Sequence, residues 1–274
     1  MKKKLDYQKR EVANIFDEVT LWSAPFGRLL LENIPMQAGV SVLDIGFGTG
    51  FPLIELSQRF GEKSQIYGID IWKEGIHRTQ EKIDTLELSN IVILEESADN
   101  ISLEDNSIDL ITSNLGINNF DNKAAVYGEV HRVLKKGGKL ALTTNPIGTF
   151  EELFKIFAVL LREMELVAEE KKLISYIEHR NTASGIISEF EQCGFKLNKH
   201  ISDESNHRFV DAEALLNHSL VRIGFRASWE EMFEDELDRE RFFKGLLIKL
   251  RQIIESTGEF SMRIPMLYLE FEKL

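Results

Sequence analysis

The sequence predicts an α/β fold in which helices wrap a parallel sheet. Short β-branched runs alternate with longer amphipathic segments through the first half of the chain, the rhythm of strand and crossover helix. Successive strands lie about 20–40 residues apart, room for one helix in each crossover. A third observation places the chemistry: one strand runs straight into a glycine turn that opens a helix.

In order, strands are expected at residues 40–45, 65–70, 90–95, 108–114 and 139–145. Helices are expected over about 52–60, 73–86 and 123–134, with Gly137-Gly138 as the C-cap of the last. After Pro146 the rhythm changes. A helix over about 150–167 and another ending near Cys193 precede a strand at 195–201. Helical segments follow near 211–219, 229–236 and 237–256, and a final strand at 266–271. Phe243, Leu246, Leu247, Leu250, Ile253 and Ile254 give the last helix its apolar stripe. The stretch from about 202 to 258 is a long helical excursion between two strands; connections that long are usually functional or form a subdomain.

Composition excludes several classes. The chain has 274 residues and a net charge of −12, from 45 acids against 33 bases. That balance disfavours non-specific nucleic-acid binding and anionic membranes. Half of the charge lies in 230–240, with seven acids and one base, expected as a solvated helix face. The single cysteine, Cys193, cannot form an internal disulfide or a cysteine-rich zinc site. No histidines have metal-ligand spacing, so no metal is expected. No apolar run approaches the roughly 20 residues of a membrane span. The start, Met1-Lys2-Lys3-Lys4-Leu5, is basic without a following hydrophobic stretch, so no secretory signal is read and the cytoplasm is the default location.

The glycine turn is Val42-Leu43-Asp44-Ile45-Gly46-Phe47-Gly48-Thr49-Gly50. A dinucleotide turn would need a small residue at the sixth position from Gly46, where Phe51 stands. The pattern is instead D-x-G-x-G-x-G. Asp44, a carboxylate at the strand's end, suits an ammonium better than a pyrophosphate, and Gly48 and Gly50 offer a close backbone approach. Asp70, twenty residues past Gly50, suits two ribose hydroxyls. Ile71 and Trp72 add apolar surface for an adenine face. A nucleoside with an amino-acid tail and no phosphate fits this set, which describes S-adenosylmethionine.

These residues resemble class I S-adenosylmethionine-dependent methyltransferases, most nearly the ubiquinone/menaquinone-biosynthesis branch. Two later stretches agree. Residues 97–110, Ser-Ala-Asp-Asn-Ile-Ser-Leu-Glu-Asp-Asn-Ser-Ile-Asp-Leu, resemble the family's segment after the third strand. Residues 129–140, beginning Glu129-Val130-His131-Arg132-Val133-Leu134, resemble its "E..RVLKPGGRL" segment. Phe16-Asp17-Glu18 and Trp22-Ser23-Ala24-Pro25-Phe26-Gly27-Arg28 also match that branch. The likeness covers about residues 10–145.

The resemblance implies a Rossmann-like, seven-stranded sheet with an antiparallel last strand and helices on both faces. It implies one methyltransferase domain over 1–274: a helical cap at about 1–38, a cofactor-binding core at 39–145, and 146–274 completing the sheet, with a substrate-pocket insertion at 202–258. Cofactor contacts are expected from Trp22, Asp44, Gly46, Phe47, Gly48, Thr49, Gly50, Asp70, Ile71, Ser97, Ala98 and Asn114. Phe47 is read as a cover for the cofactor and Trp22 as an aromatic face for the sulfonium. The adenine amino group falls to Ser97 or Asp99, and Asn114 either lines the site or ends its strand. The reaction implied is in-line methyl transfer to a small acceptor, apolar or a quinone precursor, with S-adenosylhomocysteine as product. The protein mainly aligns and desolvates the reactants, so no catalytic base is assigned. His200, His207 and His218 are candidates, while His131 reads as structural and His77 and His179 as helix-surface residues. An RNA or protein methyltransferase and a cofactor-binding scaffold without turnover are the alternatives. The sequence leaves the oligomeric state open, a homodimer included.

Overall fold

The computed structural model describes residue 6 and residues 8–18 and 22–274. The basic start at residues 1–5, on which the absence of a leader was read, lies outside the described residues.

The chain forms two compact units. One, the sheet unit, comprises residues 8–145, 182–203 and 266–274. It opens with α1 (Arg10–Glu18) and α2 (Ser23–Asn33), then alternates β1 (Ser41–Ile45), α3 (Leu53–Phe60), β2 (Gln65–Asp70), α4 (Lys73–Thr85), β3 (Ile91–Glu95) and β4 (Ile108–Asn114). A 3-10 turn at Gly116–Asn119, α5 (Lys123–Val133) and β5 (Leu134–Thr144) follow. After α6 (Glu151–Glu163) and α7 (Val167–Glu178), the chain continues through α8 (Ala183–Gln192) and β6 (Phe195–Phe209). It ends with α9 (Ala212–Asn217), α10 (Arg226–Glu230), α11 (Glu236–Thr257) and β7 (Phe260–Lys273).

The seven strands lie in the order β3-β2-β1-β4-β5-β7-β6. The β1–β2, β2–β3, β1–β4 and β4–β5 pairs are parallel, and β7 runs antiparallel to β5. This is the seven-stranded, Rossmann-like sheet expected. The order reverses between β1 and β4, and the crevice outside the strand ends at such a switch point is where ligands bind in open α/β sheets.

Strand alternation divides the packing. Leu43, Ile45 and Ile69 join one core cluster with Val126, Tyr127 and Val130 of α5 and Ile186 and Phe190 of α8. Gly68 points the other way. A methyl group there would meet Leu53 Cδ2 at 2.6 Å and Phe47 Cδ1 at 2.8 Å, so α3 and the ring of Phe47 fill the space over β2 that a side chain would take.

Several boundaries differ from the sequence expectations. Helix α5 stops at Val133, because Leu134 is already extended and buried as the first residue of β5. Gly137-Gly138 is therefore not a helix cap. It lies within β5, where Gly137 has φ +75° and any Cβ on Gly138 would sit 2.8 Å from the Lys135 carbonyl. The helix expected over 150–167 is α6, which ends at Glu163; Glu165, with φ +59°, separates it from a further helix, α7. The helix expected near 229–236 lies earlier: α10 follows a π-turn at Val221–Phe225 and ends at Glu230, and residues 231–235 are not helical. β6 and β7 are much longer than 195–201 and 266–271. The added part of β6 is polar up to its last residue, Ser-Asp-Glu-Ser-Asn-His-Arg before Phe209, as an outermost strand tolerates, and so carries no alternating apolar signal.

The helical unit is made mainly of residues 146–181 and 204–265. Its core is aromatic: Trp229 is fully buried, with Phe157 at 5.4 Å and Phe225 at 6.1 Å between ring centroids. The acidic run begins α11 rather than forming one helix face. Asp235 caps that helix by accepting from the Asp238 N–H at 2.9 Å, and acids in a first turn favour the helix dipole. Among the described residues, no helix is long and apolar enough to cross a membrane.

The close fit over Gly68 gives a stability prediction. Gly68→Ala forces Leu53 and Phe47 apart and should lower unfolding free energy by about 1–3 kcal/mol, read by urea denaturation. An unchanged midpoint would show that the layer over β2 has slack.

Candidate functional site

The residues singled out in the sequence gather at the carboxyl ends of β1, β2 and β4. Asp44 is the innermost, with none of its surface exposed. The register pairs it with Gly68 on β2 and Thr112 on β4. Thr112 Oγ1 donates to Asp44 Oδ1 at 2.7 Å, and Asp44 Oδ2 is buried with no hydrogen-bond donor. Burial pushes the Asp44 carboxyl up to about 7; the Thr112 hydroxyl works against that shift and the nearby charge of Asp70 adds to it. A carboxyl in this state asks for a cation.

The glycine turn follows at once. Gly46, Gly48 and Gly50 all have positive φ, from +56° to +106°, a region costly for any residue with a Cβ. Gly46 is exposed, Gly48 partly so, and Gly50 and Thr49 are buried. The Gly46 N–H donates to the Ile69 carbonyl at 2.8 Å, tying the turn to β2. Gly116 approaches Gly46 from the loop after β4, its Cα lying 3.5 Å from where a Gly46 Cβ would be.

Asp70 closes the turn from the other side. Its Oδ2 accepts from the Gly48 N–H at 2.7 Å and its Oδ1 from the Trp72 N–H at 2.8 Å. A carboxylate has about four lone-pair sites, so both oxygens keep capacity for further donors. Ile71 stands 70% exposed beside it, an apolar surface facing solvent. Trp72 behaves differently: its ring packs over Gly75 and lies 5.7 Å, edge-on, from Phe16 of α1.

The loop after β3 carries Ser97 and Asp99, both exposed, and Ala98, which is buried in the core. Two residues of the second family-like segment hold this loop. Glu129 accepts from the Ile101 N–H at 2.7 Å, and Arg132 donates to the carbonyls of Ile101 and Leu103 and to Asp105.

Two expected site residues have side chains held by neighbours within the protein. The Phe47 side chain is 1% exposed and turned onto Gly68, so it offers the crevice only backbone. Asn114 is spoken for at both ends: its Nδ2 donates to the Ser23 carbonyl at 3.2 Å and its Oδ1 accepts from Thr143 at 2.7 Å. It pins the start of α2 to the tip of β4, and with it the adjacent Trp22, whose half-buried ring lies 5.8 Å from Phe26.

Of the histidines, His207 and His218 are neighbours, their ring centroids 6.5 Å apart. His131 packs against Phe195 at 5.4 Å, and burial holds its pKa down. His218 is also held down by burial, and its Nδ1 accepts from the Leu220 N–H at 3.3 Å. That bond places any neutral-state proton on Nε2, which makes His218 a donor rather than a base there. Among the described residues, no group of three or more His, Cys, Asp or Glu could hold a metal ion.

Sequence reading missed Thr112, the hydroxyl partner of Asp44, and three residues of α4. Gly75, Thr79 and Lys82 recur at helical spacing and face the glycine turn. A small-and-polar stripe on a helix directly after Asp70 was the available signal.

The buried carboxyl gives a pH prediction. Because folding raises the Asp44 pKa from 3.8 to about 7, the folded protein holds an extra proton between those values. This group's contribution to stability therefore falls as pH rises from about 4 to about 7 and is level above. Asp44→Asn removes that slope. The stability of the variant relative to the parent should climb with pH across the window, measured by urea unfolding; parallel pH profiles would contradict the assignment.

Comparison with known proteins agrees with the geometry. A demethylmenaquinone methyltransferase of Oceanobacillus iheyensis is 28% identical over 153 residues, 54% of this chain and 64% of that protein. A ubiquinone/menaquinone biosynthesis C-methyltransferase of Blochmanniella pennsylvanica is 30% identical over 47% of this chain and 52% of that protein. The chain spans less than two thirds of the length of these curated relatives. Among solved structures, a SAM dependent methyltransferase from Aquifex aeolicus has a TM-score of 0.54 at 23% identity, covering 72% of this chain and 93% of that one. The [4+2]-cyclase SpnF has a TM-score of 0.57 at 16% identity, covering 91% and 80%. Residues 36–191, more than half of the chain, match the family model described as a methyltransferase domain, and the protein belongs to that family.

Proposed function

We propose that this protein transfers the methyl group of S-adenosylmethionine to a small apolar acceptor of the quinone-precursor class, releasing S-adenosylhomocysteine. The observation that carries the reading is the unpartnered Asp44 Oδ2, a buried carboxylate oxygen at the sheet's switch point. The amino-acid ammonium of the cofactor is the cation it lacks. A carboxylate there repels a phosphate group placed directly against it.

The remaining residues fit the rest of that molecule. Gly46, Gly48, Thr49 and Gly50 give the methionine tail a close backbone approach. Asp70 accepts from the ribose hydroxyls while keeping its bonds to the Gly48 and Trp72 N–H groups. Ile71 covers one adenine face, the Ala98 N–H serves the ring, and the exposed Ser97 or Asp99 takes the adenine amino group. Asn114 acts through Ser23 by holding Trp22 near the sulfonium. Phe47 contributes its main chain alone.

When bound, the cofactor supplies an electrophilic methyl on a sulfonium. This chain's own residues then have to align the acceptor and exclude water. A quinone-type acceptor that ionises readily needs no side-chain base, and none is assigned. The names of the curated relatives support the quinone class of acceptor. Reaction in the cytoplasm is part of the same reading.

The fold also carries a cyclase, so binding alone does not establish transfer, and the test reads transfer. Methyl-labelled S-adenosylmethionine incubated with a demethylated menaquinone should deliver label to the quinone. Label appearing in RNA or protein instead would move the acceptor to another class. Asp70→Ala and Gly48→Val should each weaken S-adenosylhomocysteine binding at least about tenfold by calorimetry, the loss expected for a charge-assisted hydrogen bond or a blocked backbone approach. Unchanged affinity in both variants would overturn the site.

A further inference from the structure

Helix α4 makes three contacts with the underside of the glycine turn. The Thr79 hydroxyl lies between two carbonyls, 3.1 Å from Gly48 O and 3.0 Å from Gly75 O in its own helix, and its single proton is within donating distance of either. Lys82 Nζ donates to Thr49 O at 2.6 Å. Gly75 permits the approach, because a Cβ there would come within 2.8 Å of Gly48 O and 2.6 Å of the Trp72 ring. Thr79 is completely buried.

These bonds have a geometric consequence for the other side of the turn. In a planar trans peptide the N–H points opposite to the C=O. With the Gly48 and Thr49 carbonyls held toward α4, the Thr49 and Gly50 N–H groups are directed away from it. The Gly50 N–H closes the turn onto Phe47 O at 2.9 Å. Asp70 meanwhile holds the Gly48 N–H at 2.7 Å. Each peptide from Gly48 to Gly50 is thus fixed by a bond from outside the turn or across it. A glycine turn without such bonds would rotate freely, since glycine populates both signs of φ.

We infer that Thr79 and Lys82 are positioning residues for the cofactor: they turn the carbonyls of Gly48 and Thr49 away from its methionine tail and so set its affinity without touching it. The inference rests on the proposed function, because it takes the turn to be the cofactor's seat. A carbonyl flipped toward the cofactor would put a partial negative charge against its carboxylate. Lys82 adds a positive charge behind the turn that favours the same carboxylate.

The test is S-adenosylhomocysteine affinity by calorimetry on the full chain. Thr79→Val, which keeps the shape and removes the hydroxyl, and Lys82→Met should each weaken binding about tenfold. Thr79→Ser, which restores the donor, should recover most of it. Thr85→Val is the control, since Thr85 Oγ1 bonds only to the Glu81 carbonyl of the same helix among its described bonds; it should bind like the parent. If Thr79→Val fails to fold, the Lys82→Met and Thr85→Val pair decides. Equal affinity in parent, Thr79→Val and Lys82→Met overturns the inference alone, as does equal weakening in Thr85→Val. A parent protein that binds no S-adenosylhomocysteine overturns the proposed function and the inference with it.

Discussion

One carboxylate organises the centre of this sheet. Asp44 lies between β2 and β4 with a hydroxyl on one oxygen and nothing on the other. Burying an ionised carboxylate without a full set of donors is expensive, and proteins usually avoid it by keeping the group neutral. Here the group sits near the balance point at neutral pH. The strand register explains why it has so few donors. Gly68 opposite it on β2 has no side chain to offer, and Thr112 on β4 offers a single hydroxyl. Neighbouring space is filled by Leu53 and Phe47, both apolar. The fold thus builds a place where a cation is worth more than any side chain it could supply itself.

Asp70 works by a different rule. It is partly exposed, and both of its oxygens already accept backbone N–H bonds. It ties the glycine turn to the start of α4 through those two bonds. Its spare lone pairs face outward at no further cost in order. The two acids therefore divide the work: one preorganises the loop, the other is left unsatisfied. Their mutual repulsion also links them, since the charge of Asp70 raises the Asp44 pKa.

The sequence made the core of this arrangement legible because each element there has a local cause. β1, β2 and β4 are buried β-branched runs, and their structural spans lie within a residue of those expected. The spacing from Asp44 through the glycines to Asp70 reads directly, since it follows from one strand–turn–helix–strand unit. What stayed hidden depends on contacts across the sheet. Thr112 is only a threonine until the β1–β4 register sets it against Asp44. Phe47 looks like a crevice residue until Gly68 reveals the hole that it fills. Asn114 ends its strand as expected, but its two bonds reach Ser23 and Thr143, 91 and 29 residues away. Gly137-Gly138 misled for a related reason: a glycine pair after a helix is a sound C-cap signal, and only the pairing of Leu134 with Ile108 makes it part of a strand.

The same division explains where the chain accepts instability. Most buried polar groups of the sheet unit are satisfied: Asn90 bonds to Ser57 and to the loop carbonyls near it, and Asn114 uses both ends of its amide. Against that background an orphaned carboxylate oxygen is a departure from the rule that buried polar atoms are paired. Replacing Asp44 with an apolar residue of similar size would relieve the burial penalty and keep β1 intact. The unit would then have lost the buried, unpaired oxygen proposed to receive a cation at the switch point. Strain concentrated at one atom, with the surroundings well satisfied, is what a site looks like when binding rather than folding completes it.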